Sequence, residues 1–164
     1  MNDDDDVIAS QVIDYFEIGK DDTRVASITY GSTATLDFDF DYSFAAATVK
    51  TKLQAIGYRG GGTYTYLALQ QAHTIYKTTN HGARPTNKGV PRVIVLLTDG
   101  QSYQHNIGVQ YANALKQDNV AIFAIGLGGN GYGGISVRAP LPPSRQPPAP
   151  LPSPPCCPLP MCLH

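Results

Sequence analysis

Val93-Ile94-Val95-Leu96-Leu97 is an unbroken apolar run, and it ends in Thr98-Asp99-Gly100. Such a run has no polar side to offer to water. It therefore reads as a strand of a parallel sheet, covered on both faces. Val120 to Leu127 is a second run of the same kind. Between and before them, apolar residues recur at helical spacing. Strands alternating with helices predict an α/β sandwich of three layers, with a mostly parallel sheet flanked by helices. In such sheets the functional loops lie at the carboxyl ends of the strands, which singles out Asp99–His105.

The other elements follow from periodicity. Val7 to Ile18 carries Ile8, Val12, Tyr15 and Phe16 on one helical stripe. Arg24 to Tyr30 and Thr33 to Tyr42 read as a hairpin joined by the two-residue turn Gly31-Ser32. In its second arm Leu36, Phe38, Phe40 and Tyr42 share one face, and Asp37, Asp39 and Asp41 the other. Phe44 to Ile56 is helical, with Ala46, Val49, Leu53 and Ile56 inward. A glycine-rich loop, Gly57 to Thr63, leads into a helix from Tyr64 to Lys77 that buries Ala68, Ala72, Ile75 and Tyr76. Thr79 to Pro91 is a polar loop, Ile107 to Asp118 a helix with Tyr111, Ala112 and Leu115 inward, and Gly128 to Gly134 a loop.

Composition divides the chain. Eleven of its thirteen prolines and all three cysteines fall between Ala139 and His164. Residues 1–134 therefore read as a folded domain and 135–164 as a proline-rich, disordered tail. Cys156, Cys157 and Cys162 lack the second ligand pair of a zinc site. Pro140-Leu141-Pro142-Pro143-Ser144-Arg145 fits the PxxP-basic pattern of ligands for SH3 grooves, although any proline-rich run yields it. The net charge of −1 provides no basic field for a nucleic-acid backbone. No apolar stretch reaches the roughly 20 residues that span a bilayer. The start, Met1 to Asp6, is acidic, unlike a signal peptide.

Each candidate for chemistry has a plainer alternative. Asp99, at the end of a buried strand, could hold a hard cation, or it could simply begin an Asp-Gly turn. Taken alone, the motif favours the turn. Thr63 is a natural helix N-cap. The Gly60-Gly61-Gly62-Thr63 loop is no phosphate-binding loop, because no Lys-Ser/Thr follows. Gly126 to Gly131 matches the dinucleotide spacing, but no helix opens after it and no acidic residue follows at the right distance. Asp37, Asp39 and Asp41 resemble the start of a calcium loop. Tyr42 and Thr48, however, occupy its glycine and glutamate positions, and the acids read as charges guarding an edge strand. His73, His81 and His105 have no spaced nucleophile, so the chain does not read as an enzyme.

Together, Asp22-Thr23-Arg24-Val25, Tyr58 to Thr65, Pro91 to Gly100 and Ala121 to Gly128 closely resemble a von Willebrand factor type A domain of the matrix kind, as in matrilins and fibril-associated collagens. The resemblance covers roughly residues 7 to 131. It implies a Rossmann-like sheet of order 3-2-1-4-5-6. It also implies a site for Mg2+ built from three loops, in which a carboxylate from the partner completes the metal shell. The metal-binding threonine would be Thr63 and the aspartate Asp99. Tyr64, Gln101, Ser102 and Tyr103 would form the rim that faces the ligand. The implied partner is an extracellular matrix protein such as collagen, bound through an acidic side chain, and the implied location is extracellular.

Two departures qualify this. No strand followed by Asp-x-Ser-x-Ser precedes Val7, and after Gly128 the tail stands where a last strand and helix belong. The chain reads as truncated at both ends, as a fragment or an isoform. The central strand is then absent, and magnesium binding is weak or lost. A metal-independent chain acting through its tail as a weak SH3-type ligand is the alternative.

Overall fold

The computed structural model describes residues 9–57, 60–98, 102–126 and 136–138. Asp3 to Asp6, Asp99, Gln101, the Gly128–Gly134 loop, Pro140–Arg145 and the cysteines lie outside the described residues. The elements are β1 (Ser27–Tyr30), β2 (Ala34–Phe38), α1 (Ala46–Gln54), α2 (Thr65–Lys77), β3 (Arg92–Thr98), α3 (His105–Gln117), β4 (Val120–Gly126) and β5 (Ser136–Arg138). A short helical segment, residues 9–13, precedes them. No helix among the described residues is long and apolar enough to cross a membrane.

The strands form two sheets. β1 and β2 pair antiparallel, with Tyr30 opposite Ala34. The hairpin loop is therefore Gly31 to Thr33, closed by the Gly31 amide donating to the Thr33 carbonyl at 2.8 Å. The expected two-residue turn is one residue too short. β3 and β4 pair in parallel along their whole length, from Arg92 opposite Val120 to Thr98 opposite Gly126. This is the parallel pair that the two apolar runs predict.

Two readings need correction at the sheet's margins. β5 pairs antiparallel with β4, Val137 opposite Ile125, so the sheet carries a strand beyond the point where the sequence reading ends it. The outer edge of β4 offers open amides and carbonyls, and Ser136-Val137-Arg138 precedes the first proline of the tail, so its backbone can still donate. The second correction concerns cover on β3. Ile94 packs on the Leu69–Leu115–Val120 cluster, but Val93 and Val95 on the opposite face are 42% and 39% exposed. β3 is an edge strand of its sheet, and the described residues place no complete layer over that face.

The apolar residues gather in two clusters. Ile13, Phe38, Val49, Leu53 and Ile56 form one, beneath the hairpin and α1. Leu69, Leu115 and Val120 form the other, with Tyr76, Ile94, Tyr111, Ala112 and Ile122 packed around them. The stripes of α1 and α3 are therefore as periodicity predicts. The first helical stripe is shorter than expected. Helix ends at residue 13, leaving Tyr15 88% exposed and Phe16 partly so. The chain then folds back on itself, with the Thr23 amide donating to the Glu17 carbonyl at 2.9 Å, and this turn carries both rings away from the core.

No described strand lies between β1 and β3. A cleft of about 820 Å3 separates them, lined by both strands and by Ala68, Ala72 and Ile75 of α2. Two tyrosine hydroxyls donate to β3 carbonyls: Tyr30 from β1 to Leu97 at 2.7 Å, and Tyr76 from α2 to Val93 at 3.0 Å. Burial pushes the Tyr76 phenol up to about 12, against the opposing pull of the Arg92 charge. The protonated phenol is thus favoured in the folded state. Its stabilising contribution is complete below pH 10, the ordinary tyrosine value, and is lost as pH rises through about 12. Urea midpoints measured across that window should fall for the wild type and fall less steeply for Tyr76→Phe. Parallel slopes would show that Tyr76 is not the titrating group.

Candidate binding rim

The loops at one end of the strands are drawn together by backbone bonds. The Tyr64 amide donates to the Gly31 carbonyl at 3.3 Å, and the Tyr103 amide to the Thr63 carbonyl at 2.9 Å. The Gly62 amide donates to the Ser32 hydroxyl at 3.1 Å. Three segments remote in sequence thus meet: the hairpin loop, the glycine-rich loop, and the turn before α3. Glycine is required where they touch. A Cβ on Gly31 would fall inside contact distance of the Gly60 carbonyl oxygen. Gly61 has φ of +100°, a conformation that side chains disfavour.

Above this junction stand three tyrosines. The rings of Tyr64 and Tyr103 stack with centroids 5.1 Å apart, and Tyr66 meets Tyr64 edge-on at 6.1 Å. Tyr103 is 59% exposed. The Ser102 hydroxyl donates to the Tyr103 carbonyl at 3.0 Å, and Gln104, with φ of 53°, turns the chain into α3. Of the expected rim residues, Tyr64, Ser102 and Tyr103 are therefore brought together. Gln101 lies outside the described residues. Tyr66 was not singled out from sequence; its place two residues after Tyr64, at the start of α2, is the sequence signal for it.

Thr63 is half-buried beneath this group. It does not cap α2: the cap position is Tyr64, and no side chain bonds there. The plain reading of Thr63 as an N-cap is thereby removed. Asp99, its expected partner, lies outside the described residues. Among the described residues no three His, Cys, Asp or Glu side chains gather into a metal-binding group.

The aspartates of the hairpin serve separate partners instead. Asp37 accepts from the Thr29 hydroxyl at 2.6 Å, across the strand pair. Asp41 pairs with Arg24 at 2.9 Å, and Asp39 faces His81 at 3.5 Å. Arg24 also donates to the carbonyls of Lys20 and Gly82, so these charges brace the loops around the hairpin.

The chain matches the family model of the von Willebrand factor type A domain over residues 7–136. It is 34% identical over 117 residues to mouse matrilin-2, covering 71% of this chain and 12% of that protein. Against chicken matrilin-3 the identity is 32% over 122 residues, covering 74% of this chain and 26% of the relative. Against the mouse collagen alpha-5(VI) chain it is 28% over 112 residues, 68% of this chain and 4% of the relative. The chain thus spans a minor part of the relatives it matches. Among solved structures, proximal thread matrix protein 1 from the mussel byssus shares the fold, with a TM-score of 0.67 at 18% identity over 74% of this chain and 31% of that one. The manganese-loaded TRAP protein of Plasmodium vivax aligns with a TM-score of 0.62 at 22% identity, over 75% of this chain and 49% of that one. One mussel structure has a zinc-occupied MIDAS motif.

Proposed function

The chain belongs to the von Willebrand factor type A domain family, and from that premise we infer that it is a non-enzymatic, protein-binding module of the extracellular matrix. The observation that carries this reading is the rim itself. The Thr63–Tyr103 backbone bond holds two loops in place, and it sets a tyrosine stack beside the threonine, with Tyr103 exposed and Tyr64 half-buried. Stacked tyrosines offer rigid apolar area at low entropic cost, each with a hydroxyl for polar contact. Such residues dominate binding energy at protein interfaces.

The partner on this reading is a matrix protein such as collagen, presenting an acidic side chain to Thr63 and Asp99. Magnesium held there would supply a positive charge to meet that carboxylate. With only these two protein ligands the ion is bound weakly, and the site is incomplete. The folded unit on this reading takes in β5, Ser136–Arg138, which pairs with β4, and the proline-rich stretch from Ala139 onward is a tail.

Binding to immobilised collagen should fall about tenfold in Tyr103→Ala, the loss of one interfacial anchor, with melting unchanged. Calorimetric titration with magnesium should give a Kd weaker than ~1 mM, looser than dedicated cation sites. Collagen binding indifferent to Tyr103 would overturn the rim. Tight magnesium binding would overturn the incomplete site.

A further inference from the structure

We propose that Tyr64 and Tyr103 form an oxidative modification site, at which a haem peroxidase with hydrogen peroxide couples the two rings into an intrachain dityrosine. The carbons that join in dityrosine are those ortho to each hydroxyl, the Cε atoms. Here the Cε2 atoms of both rings converge on one spot. A Cβ on Gly62 would lie 2.8 Å from Cε2 of Tyr64 and 3.3 Å from Cε2 of Tyr103. The rings stack with centroids 5.1 Å apart and planes inclined by 26°, within the range of offset aromatic pairs. Gly62 makes this approach possible, because a side chain there would press on both rings.

The backbone holds the pair together. The Tyr103 amide donates to the Thr63 carbonyl at 2.9 Å, so the two side chains leave the backbone from neighbouring points. The Gly62 amide is fixed on the Ser32 hydroxyl at 3.1 Å. Two groups held in this way react without the entropic cost of a bimolecular encounter. The other tyrosines are placed differently. Tyr66 meets Tyr64 edge-on, with planes at 76°. The Tyr30 and Tyr76 hydroxyls are engaged by the Leu97 and Val93 carbonyls. Tyr15 is 88% exposed, and among the described residues no ring stacks on it.

The chemistry balances. Tyr103, 59% exposed, meets the oxidant first and gives up one electron and one proton. A second oxidation of the stacked pair takes the same from half-buried Tyr64. The two phenoxyl radicals pair their electrons in one Cε2–Cε2 bond. Each of these carbons then releases its hydrogen as a proton, and each oxygen takes one up, so both phenols are restored. Two C–H bonds are lost and one C–C bond is gained. The two electrons and two protons removed reduce one hydrogen peroxide to two waters.

The test treats the full chain at about 1 µM, where encounters between chains are slow, with a haem peroxidase and one equivalent of hydrogen peroxide. Trypsin then releases residues 60–77 and 93–116, which carry Tyr64 and Tyr103. The two peptides should appear joined, lighter than their sum by two hydrogen atoms, with fragmentation placing the link at Tyr64 and Tyr103. The monomer should show dityrosine fluorescence. Tyr103→Phe keeps the ring but forms no phenoxyl radical, and should lose that emission at least tenfold; Tyr66→Phe should keep it. Gly62→Ala keeps both phenols. Its φ is not positive, and its methyl meets ring edges rather than backbone, so circular dichroism should be unchanged while the yield falls about tenfold. A link at other tyrosines, or one only between chains through Tyr15, would overturn the proposal. So would emission that survives Tyr103→Phe, or an equal yield from Gly62→Ala.

Discussion

Leu115→Ala is expected to lower the free energy of unfolding by about 3–5 kcal/mol, the upper part of the range for leucine truncation in a core. Leu115 is fully buried and sits where α3, α2 and β4 meet, against Leu69 and Val120. The cost has two parts: the transfer energy of the lost methyls and the cavity that remains. The cavity persists because the surrounding groups are pinned. Val120 and Ile94 lie in the paired β3–β4 ladder, and Tyr76 is held by its bond to the Val93 carbonyl. Domains of this size are stable by only about 5–15 kcal/mol, so the variant should lose a large share of its stability. Urea denaturation followed by far-ultraviolet circular dichroism measures this. A loss below about 1 kcal/mol would mean that the second cluster can collapse around the gap.

Gly31→Ala should have the second-largest effect, about 1–3 kcal/mol, with the rim disordered as well. The new methyl would meet the Gly60 carbonyl oxygen. Both groups belong to backbone, so no rotamer relieves the overlap, and the loops must part. Parting them lengthens the Tyr64–Gly31 bond, already 3.3 Å, and shifts the Tyr64 ring off Tyr103. The near-ultraviolet signal of the tyrosines should change along with the melting temperature. Gly57→Ala is the control: nothing lies near its position, and a surface change of that kind stays within about 0.5 kcal/mol. Equal melting of the two variants would show that the hairpin and glycine-rich loops are not packed as described.

Much of the fold is legible because burial imposes periodicity. Val49, Leu53 and Ile56 fall where a helical stripe puts them, and the runs at Val93 and Val120 pair as parallel strands. What escapes the sequence is context. An apolar run reads alike whether or not a neighbour covers it, so the exposure of Val93 and Val95 is invisible there. β5 is three residues long, too short for alternation to register, and exists because β4 has an edge to offer. Tyr15 and Phe16 match a helical stripe, but the turn at Glu17 to Thr23 overrides it. At the site, Thr63, Tyr64, Ser102 and Tyr103 could be named from motif order. Their stacking could not, because it depends on a bond between loops distant in the chain. Nor could the cap at the start of α2, since a threonine before a helix invites the opposite assignment.

The two separate cores have a consequence for cooperativity. The hairpin with α1 encloses one, and β3, β4 and α3 enclose the other. α2 packs against β1 and β2 on one side and against α3 on the other. Each half can therefore open without dismantling its neighbour, while α2 takes part in both events. Its amides should exchange only through openings that release both halves, and the hairpin should open more often by itself. The molecule would then behave as two coupled foldons hinged on one helix, and the Tyr30–Leu97 bond that joins β1 to β3 would help set the strength of their coupling.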